Sequence, residues 1–150
     1  MKRHRILIIN GPNLNMLGKR DSSQYGTGTL EDLEGMISAE AEKQGLDVFF
    51  FTSDSEGEII RSLHSEKFDA AIINAGAYSH YSIAIRDAIE CCGFPVAEVH
   101  ISNIYAREEF RQKSVISPVC SGTVSGFGFY GYIMALHGCL EIIRSKENHK

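Results

Sequence analysis

Long apolar runs are missing from this chain, and no stretch reaches the length needed to span a bilayer. The opening Met1-Lys-Arg-His-Arg is basic, but only Ile6 to Ile9 are apolar before Asn10-Gly-Pro, so a signal-peptide h-region is absent as well. Cys91, Cys92, Cys120 and Cys139 show no C-x-x-C spacing and no secretory context, which points to free thiols in a reducing compartment. Internal repeats, linkers and low-complexity segments are also lacking, so residues 1–150 are expected to form one domain. Nor is positive charge in excess. Lys and Arg number 15 against 19 Asp and Glu, the net charge is −4, and the basic residues are dispersed. That excludes a nucleic-acid or membrane surface as the organising feature and leaves a cytoplasmic protein as the expectation.

What remains is an ordinary globular composition, 43% apolar and 23% charged, with short apolar runs alternating with helical periodicities. Residues 5–10 are β-branched and apolar on both faces, as a buried parallel strand requires. The Gly-, Asn- and Ser-rich stretch from Gly11 to Gly28 reads as a long loop, a length that goes with function or disorder. Thr29 caps a helix that runs to about Gly45, with Glu31 and Asp32 in its positive first turn. Further strands are expected at residues 46–52, 68–74, 95–100 and 117–125, and further helices at residues 55–67, 82–92 and 129–145. Ile83, Ile85, Ala88 and Ile89 are expected to face inward, and Phe49, Phe50, Phe51, Phe127 and Phe129 to belong to the core. Five β–α alternations with right-handed crossovers give an α/β fold: a flavodoxin-like, doubly wound, five-stranded parallel sheet in a three-layer α/β/α arrangement.

In such a sheet the ligand crevice lies outside the carboxyl ends of the strands. Three strand ends here are polar: Asn10-Gly-Pro-Asn13-Leu-Asn15, Asn74-Ala-Gly-Ala-Tyr-Ser-His80, and Glu98-Val-His100-Ile101-Ser102. An asparagine after a strand alone is ordinary turn chemistry. Asn and His at three ends together point to a site. A histidine delivered by a strand and followed by Arg107 and Arg111 suits general acid–base work on a small oxygen-rich anion. Tyr25 lies in a polar loop with no apolar periodicity to bury it. It either closes an exposed turn or is held as a base by Arg20, since a cation beside a phenol stabilises the phenolate.

Other motifs are weaker. Gly126-Phe-Gly128-Phe-Tyr-Gly131 fits G-x-G-x-x-G, yet too little chain follows for the next strand and its ribose-binding acid. These glycines are expected to let the last helix pack closely on the sheet. The Gly11–Gly18 loop lacks the Gly-Lys-Ser/Thr ending of a P-loop, and His80 and His100 lack a convincing third metal ligand. A phosphorylation-receiver domain would need acids where strands one and three end in asparagine. His64, on a helical face, reads as structural.

Asn10-Gly-Pro-Asn-Leu-Asn, Leu17-Gly-Lys-Arg20 with Tyr25-Gly26, Asn74-Ala-Gly-Ala-Tyr-Ser-His80, Ile85-Arg-Asp87-Ala, and Glu98-Val-His-Ile-Ser-Asn with Arg107-Glu-Glu-Phe-Arg111 together resemble type II 3-dehydroquinate dehydratase, over residues 5–142. The resemblance implies reversible dehydration of 3-dehydroquinate to 3-dehydroshikimate without a metal or organic cofactor, by trimers that assemble into a dodecamer. It implies Tyr25 as base, Arg20 as its cation, His100 as general acid oriented by Glu98, and Asn13 as enolate stabiliser through a water. Asn74, His80, Arg111 and the amides of Ile101 and Ser102 would hold the substrate, and Asp87 would reach the neighbouring subunit's site. Asp21-Ser22 stands where the family commonly has Glu-Pro, Tyr105 where histidine is frequent, and Thr52 where glutamine is. The competing expectation is a flavin- or phosphate-binding module of flavodoxin type.

Overall fold

The structure is a computed structural model that describes residues 2–65 and 67–150. Five strands, β1 (His4–Asn10), β2 (Leu46–Thr52), β3 (Ala70–Asn74), β4 (Val96–His100) and β5 (Gly122–Ser125), form one sheet in the order β2-β1-β3-β4-β5. Every pairing is parallel. This is the flavodoxin-like doubly wound order, with its switch point between β1 and β3.

Alternation within each strand builds two cores. Ile6, Ile8, Ile72 and Val99 face α2 (Leu30–Gln44) and α5 (Tyr130–Asn148), while Leu7, Ile9, Ile73 and Val96 face α3 (Glu56–Leu63) and α4 (Ile83–Glu90). The helices begin where their caps dictate. Thr29 and Asp32 form a reciprocal capping box at α2, and the hydroxyls of Ser55 and Ser82 accept the first-turn amides of Glu58 in α3 and Ile85 in α4. Gly45 ends α2 in the left-handed conformation.

The register places the strand ends side by side: Asn10 opposite both Thr52 and Asn74, and His100 opposite Ser125. That alignment puts the polar residues of three strands along one edge.

Several expectations need correcting. The third strand begins at Ala70, because Phe68 and Asp69 lead into it; Asp69 instead gives its side chain to the Arg5 amide. The fifth strand is confined to Gly122–Ser125, because Pro118 at the start of a 3₁₀ turn (Ser117–Val119) has no amide for a ladder. The third helix stops at Leu63; of the positions expected beyond it, Glu66 lies outside the described residues.

Ile83 is 56% exposed at the first turn of α4, and Phe127 is 61% exposed in the turn before α5. Neither is core, and Phe49 is only partly covered, lying under the Arg5 guanidinium and against the Phe68 ring. The glycines after β5 divide their roles. Gly126 and Gly128 have positive φ and serve the turn, while Gly131 is where α5 approaches the sheet, since a Cβ there would lie 3.3 Å from Val124. The loop after β1 is not structureless either. It holds a 3₁₀ turn (Leu14–Met16) and a single helical turn, α1 (Ser22–Tyr25), capped by Asp21.

Candidate active site

A cleft opens over the carboxyl ends of β1, β3 and β4, lined by Asn13, Arg20, Tyr25, Asn74, His80, His100, Ile101, Ser102, Arg107 and Arg111 among others. Nine of the eleven residues expected to act are therefore gathered here from five separate segments. Glu98 lies just beneath, fully buried, and Asp87 does not line the cleft of its own chain but stands exposed on α4.

Strand alternation sets the acid–base pair. Glu98 and His100 share a face of β4, so the imidazole folds back until Nε2 meets the Glu98 carboxylate at 2.5 Å. Ser114 donates a second hydrogen bond to Glu98 at 2.7 Å and Ser117 a third. Burial works to raise the Glu98 carboxyl, but the bonds and charge from His100 with those from the two serines outweigh it and hold the group below the usual carboxylate range. An ionised Glu98 accepts only, so His100 Nε2 carries a proton and donates it. Nδ1 is then left for the cleft, where it releases a proton when the ring is cationic.

His80 stacks beside it, the ring centroids 6.1 Å apart. Its Nδ1 donates to the Lys113 carbonyl at 2.8 Å, which leaves Nε2 as the acceptor of a neutral ring. Burial, then the neighbouring His100 and Arg111 charges, lower the His80 pKa despite the Lys113 carbonyl and Glu98, so the neutral form is the one held.

Tyr25 faces this pair from α1. Its hydroxyl accepts from Arg20 Nη2 at 2.9 Å and from Arg107 Nη1 at 2.6 Å. The Arg20 guanidinium also lies over the ring, 3.8 Å from the centroid. Two cations converge on one phenolic oxygen, an arrangement that stabilises negative charge there. Arg107 further reaches the Ser102 hydroxyl at 3.3 Å, joining α1 to the end of β4.

Asn13 is the sole non-glycine with positive φ among the described residues, at 71°. Asparagine tolerates that conformation, and a sparsely populated backbone at a strand end is where functional strain collects. The Ile101 and Ser102 amides, just past β4, donate to no other backbone group among the described residues and remain available to an anion. Asn74 accepts from the Gly76 amide and donates to Tyr132, whose hydroxyl in turn donates to Asn10.

Three contributors were not singled out from sequence, and a fourth was singled out in a different role. Arg107 was visible as one of two cations after β4, but its contact with Tyr25 spans eighty-two positions and needs the fold. Ser114 lies in irregular chain and Ser117 opens a 3₁₀ turn where a strand was expected, so no periodicity marks either as a partner of Glu98. Tyr132 carried the one available signal, a phenol on the sheet-facing side of an apolar helix, which must find a partner when buried.

The model of the family "Dehydroquinase class II" matches residues 4–140. The chain belongs to the class II dehydroquinase family. A 3-dehydroquinate dehydratase of Caldicellulosiruptor bescii is 55% identical over 142 residues, covering 93% of this chain and 98% of that one. Its counterpart in Thermotoga neapolitana is 57% identical over 132 residues, covering 88% and 91%. Among solved structures, the type II dehydroquinase of Butyrivibrio crossotus superposes with a TM-score of 0.90 at 44% identity, covering 91% of this chain and 97% of its own. Membership in a hydro-lyase family disfavours the flavin- or phosphate-binding reading. Among the described residues, no helix is long and apolar enough to cross a membrane.

Proposed function

We propose that this dehydroquinase catalyses the reversible anti elimination of water from 3-dehydroquinate to give 3-dehydroshikimate, with Tyr25 as base and His100 as general acid. The observation that carries the assignment is the Tyr25 hydroxyl bonded by two guanidinium groups across the cleft from a carboxylate-oriented imidazole.

The reaction removes a proton α to a ketone, so it needs a base, stabilisation for the enolate oxygen, and an acid for the departing hydroxyl. Tyr25, its oxygen bonded by Arg20 and Arg107, takes the proton. Asn13 at the end of β1 stabilises the enolate through a water. Cationic His100, fixed by Glu98, delivers a proton to the leaving hydroxyl. Arg111, Asn74 and the amides of Ile101 and Ser102 suit the carboxylate, and the free Nε2 of neutral His80 accepts from a substrate hydroxyl.

The cleft encloses only about 90 Å³, against the roughly 300–1,000 Å³ of a typical small-molecule site. Arg20 and Tyr25 form one wall of the cleft. The segment from Asn15 to Tyr25 therefore opens to admit substrate and closes over it, excluding water and strengthening each polar contact.

The assembly is proposed to be a dodecamer built from trimers, with exposed Asp87 offered to the neighbouring site, and the location to be cytoplasmic. The test is an absorbance assay of the conjugated enone product, run with and without EDTA and borohydride. Turnover indifferent to both supports the reading. Absence of turnover by folded protein refutes it.

A further inference from the structure

The Tyr132 hydroxyl lies in no part of the chemistry above, yet it is fully buried between two asparagines that end adjacent strands. Its hydrogen bonds have a fixed direction. The Gly76 amide can only donate, and it points at one end of the Asn74 side chain at 3.2 Å, so that end is the carbonyl Oδ1. The other end, Nδ2, then gives one of its two protons to the Tyr132 oxygen at 2.9 Å. Tyr132 has one proton of its own to give, and it goes to Asn10 Oδ1 at 2.6 Å.

The result is a one-way relay, Gly76 to Asn74 to Tyr132 to Asn10, crossing from β3 to α5 to β1. Burial raises the Tyr132 pKa well above that of an ordinary phenol, with only a small offset from Asn74, so the hydroxyl keeps its proton and its direction at any physiological pH. The geometry also requires glycine at position 76. Its φ is +59°, and a Cβ there would lie 2.9 Å from the Pro12 carbonyl, so only a glycine brings this amide to Asn74.

We propose that Tyr132 is a positioning residue that fixes the Asn74 amide so that its second Nδ2 proton, a donor, faces the cleft. The proposal rests on the functional reading above, in which Asn74 binds substrate. An unfixed amide would present donor and acceptor in turn, and a carbonyl facing an anionic substrate repels it. Tyr132→Phe leaves the packing of the ring in place and removes the oxygen that Asn74 Nδ2 donates to, so that the long Gly76 bond alone is left to hold the amide. Asn10→Ala removes the acceptor of the Tyr132 proton without touching the cleft lining, and frees that proton to turn towards Asn74 and favour the flipped amide.

Steady-state kinetics of the wild type, Tyr132→Phe, Asn74→Ala and the double variant test this. Tyr132→Phe is expected to raise KM on the order of tenfold, the scale of one lost hydrogen bond, with a smaller change in kcat. Added to Asn74→Ala, it should raise KM no further, because it acts through that side chain. Asn10→Ala provides the same reading if Tyr132→Phe does not fold: a severalfold rise in KM, absent in the Asn74→Ala background. An active wild type whose KM is unchanged in both variants, or effects that multiply with Asn74→Ala, would overturn the proposal alone. An inactive wild type would overturn the functional reading and the proposal with it.

Discussion

Two polar regions share the carboxyl edge of the sheet, and they differ in what their groups have left to offer. Past β2, Ser53 donates to Glu58, Ser82 donates to Glu56 at 2.5 Å and caps α4, and the Tyr78 hydroxyl closes on the Asp54 carbonyl at 2.7 Å. Those donors and acceptors are satisfied among themselves, and the charge there is negative. Past β1, β3 and β4, three arginines and two histidines converge, while His100 Nδ1, His80 Nε2 and the Ile101 and Ser102 amides have no hydrogen-bond partner among the described residues. Polarity at a sheet edge does not make a site. Unspent hydrogen-bonding capacity beside positive charge does, because a buried anion can be held only where such groups await it.

Substitutions in the two regions should therefore separate chemistry from stability. Tyr25→Phe and His100→Ala are expected to lower kcat by about 10²–10⁴-fold with the fold intact, the range for loss of a positioned base or acid. Near-normal turnover in either variant removes that residue from the mechanism. Arg107→Ala should cost on the order of 10²-fold in kcat, since Arg20 remains on the phenol; an effect confined to KM would make Arg107 a binding residue only.

Glu98→Gln acts on both counts. It should reduce kcat by roughly tenfold, because an amide can present the wrong polarity to His100, and it should carry a pH signature. The folded pKa of Glu98 lies below its unfolded value, so its stabilisation is complete above the ordinary carboxyl range and is lost as pH falls through the depressed value. Denaturant midpoints from neutral to acid pH should show wild type and Glu98→Gln converging only at the acid end, and a constant gap would contradict the assignment. The smallest catalytic effect belongs to the other region. Ser82→Ala should cost about 1 kcal/mol of stability through the lost cap, with kcat essentially unchanged; a large fall in kcat would break the distinction between the two edges.

Most of the sheet was legible in the sequence, because buried parallel strands are continuous apolar runs and helix caps are short-range chemistry. Leu46–Thr52 and the Thr29 and Gly45 boundaries depend only on neighbours in the chain. The errors fell where a local turn signal overrides apolar composition. Phe127 has an apolar side chain but sits in a turn outside the core, and Ser117–Val119 has strand-like composition but contains Pro118. In the site, side chains attached to strand ends could be placed by topology alone. Arg107 on Tyr25, the serines on Glu98 and Tyr132 between two asparagines could not, since each joins segments that meet only after folding.

The central claim is that two guanidinium groups hold Tyr25 ready to remove the proton α to the ketone. Its most direct test is the kinetic isotope effect on kcat with substrate deuterated at that carbon, measured in Arg107→Ala. A primary effect clearly above unity, in a variant slowed overall, is the predicted result, because losing one of the two donors that stabilise charge on the phenolic oxygen makes proton abstraction limit turnover. A slowed variant with an isotope effect of unity would contradict the account and place Arg107 outside the proton-transfer step.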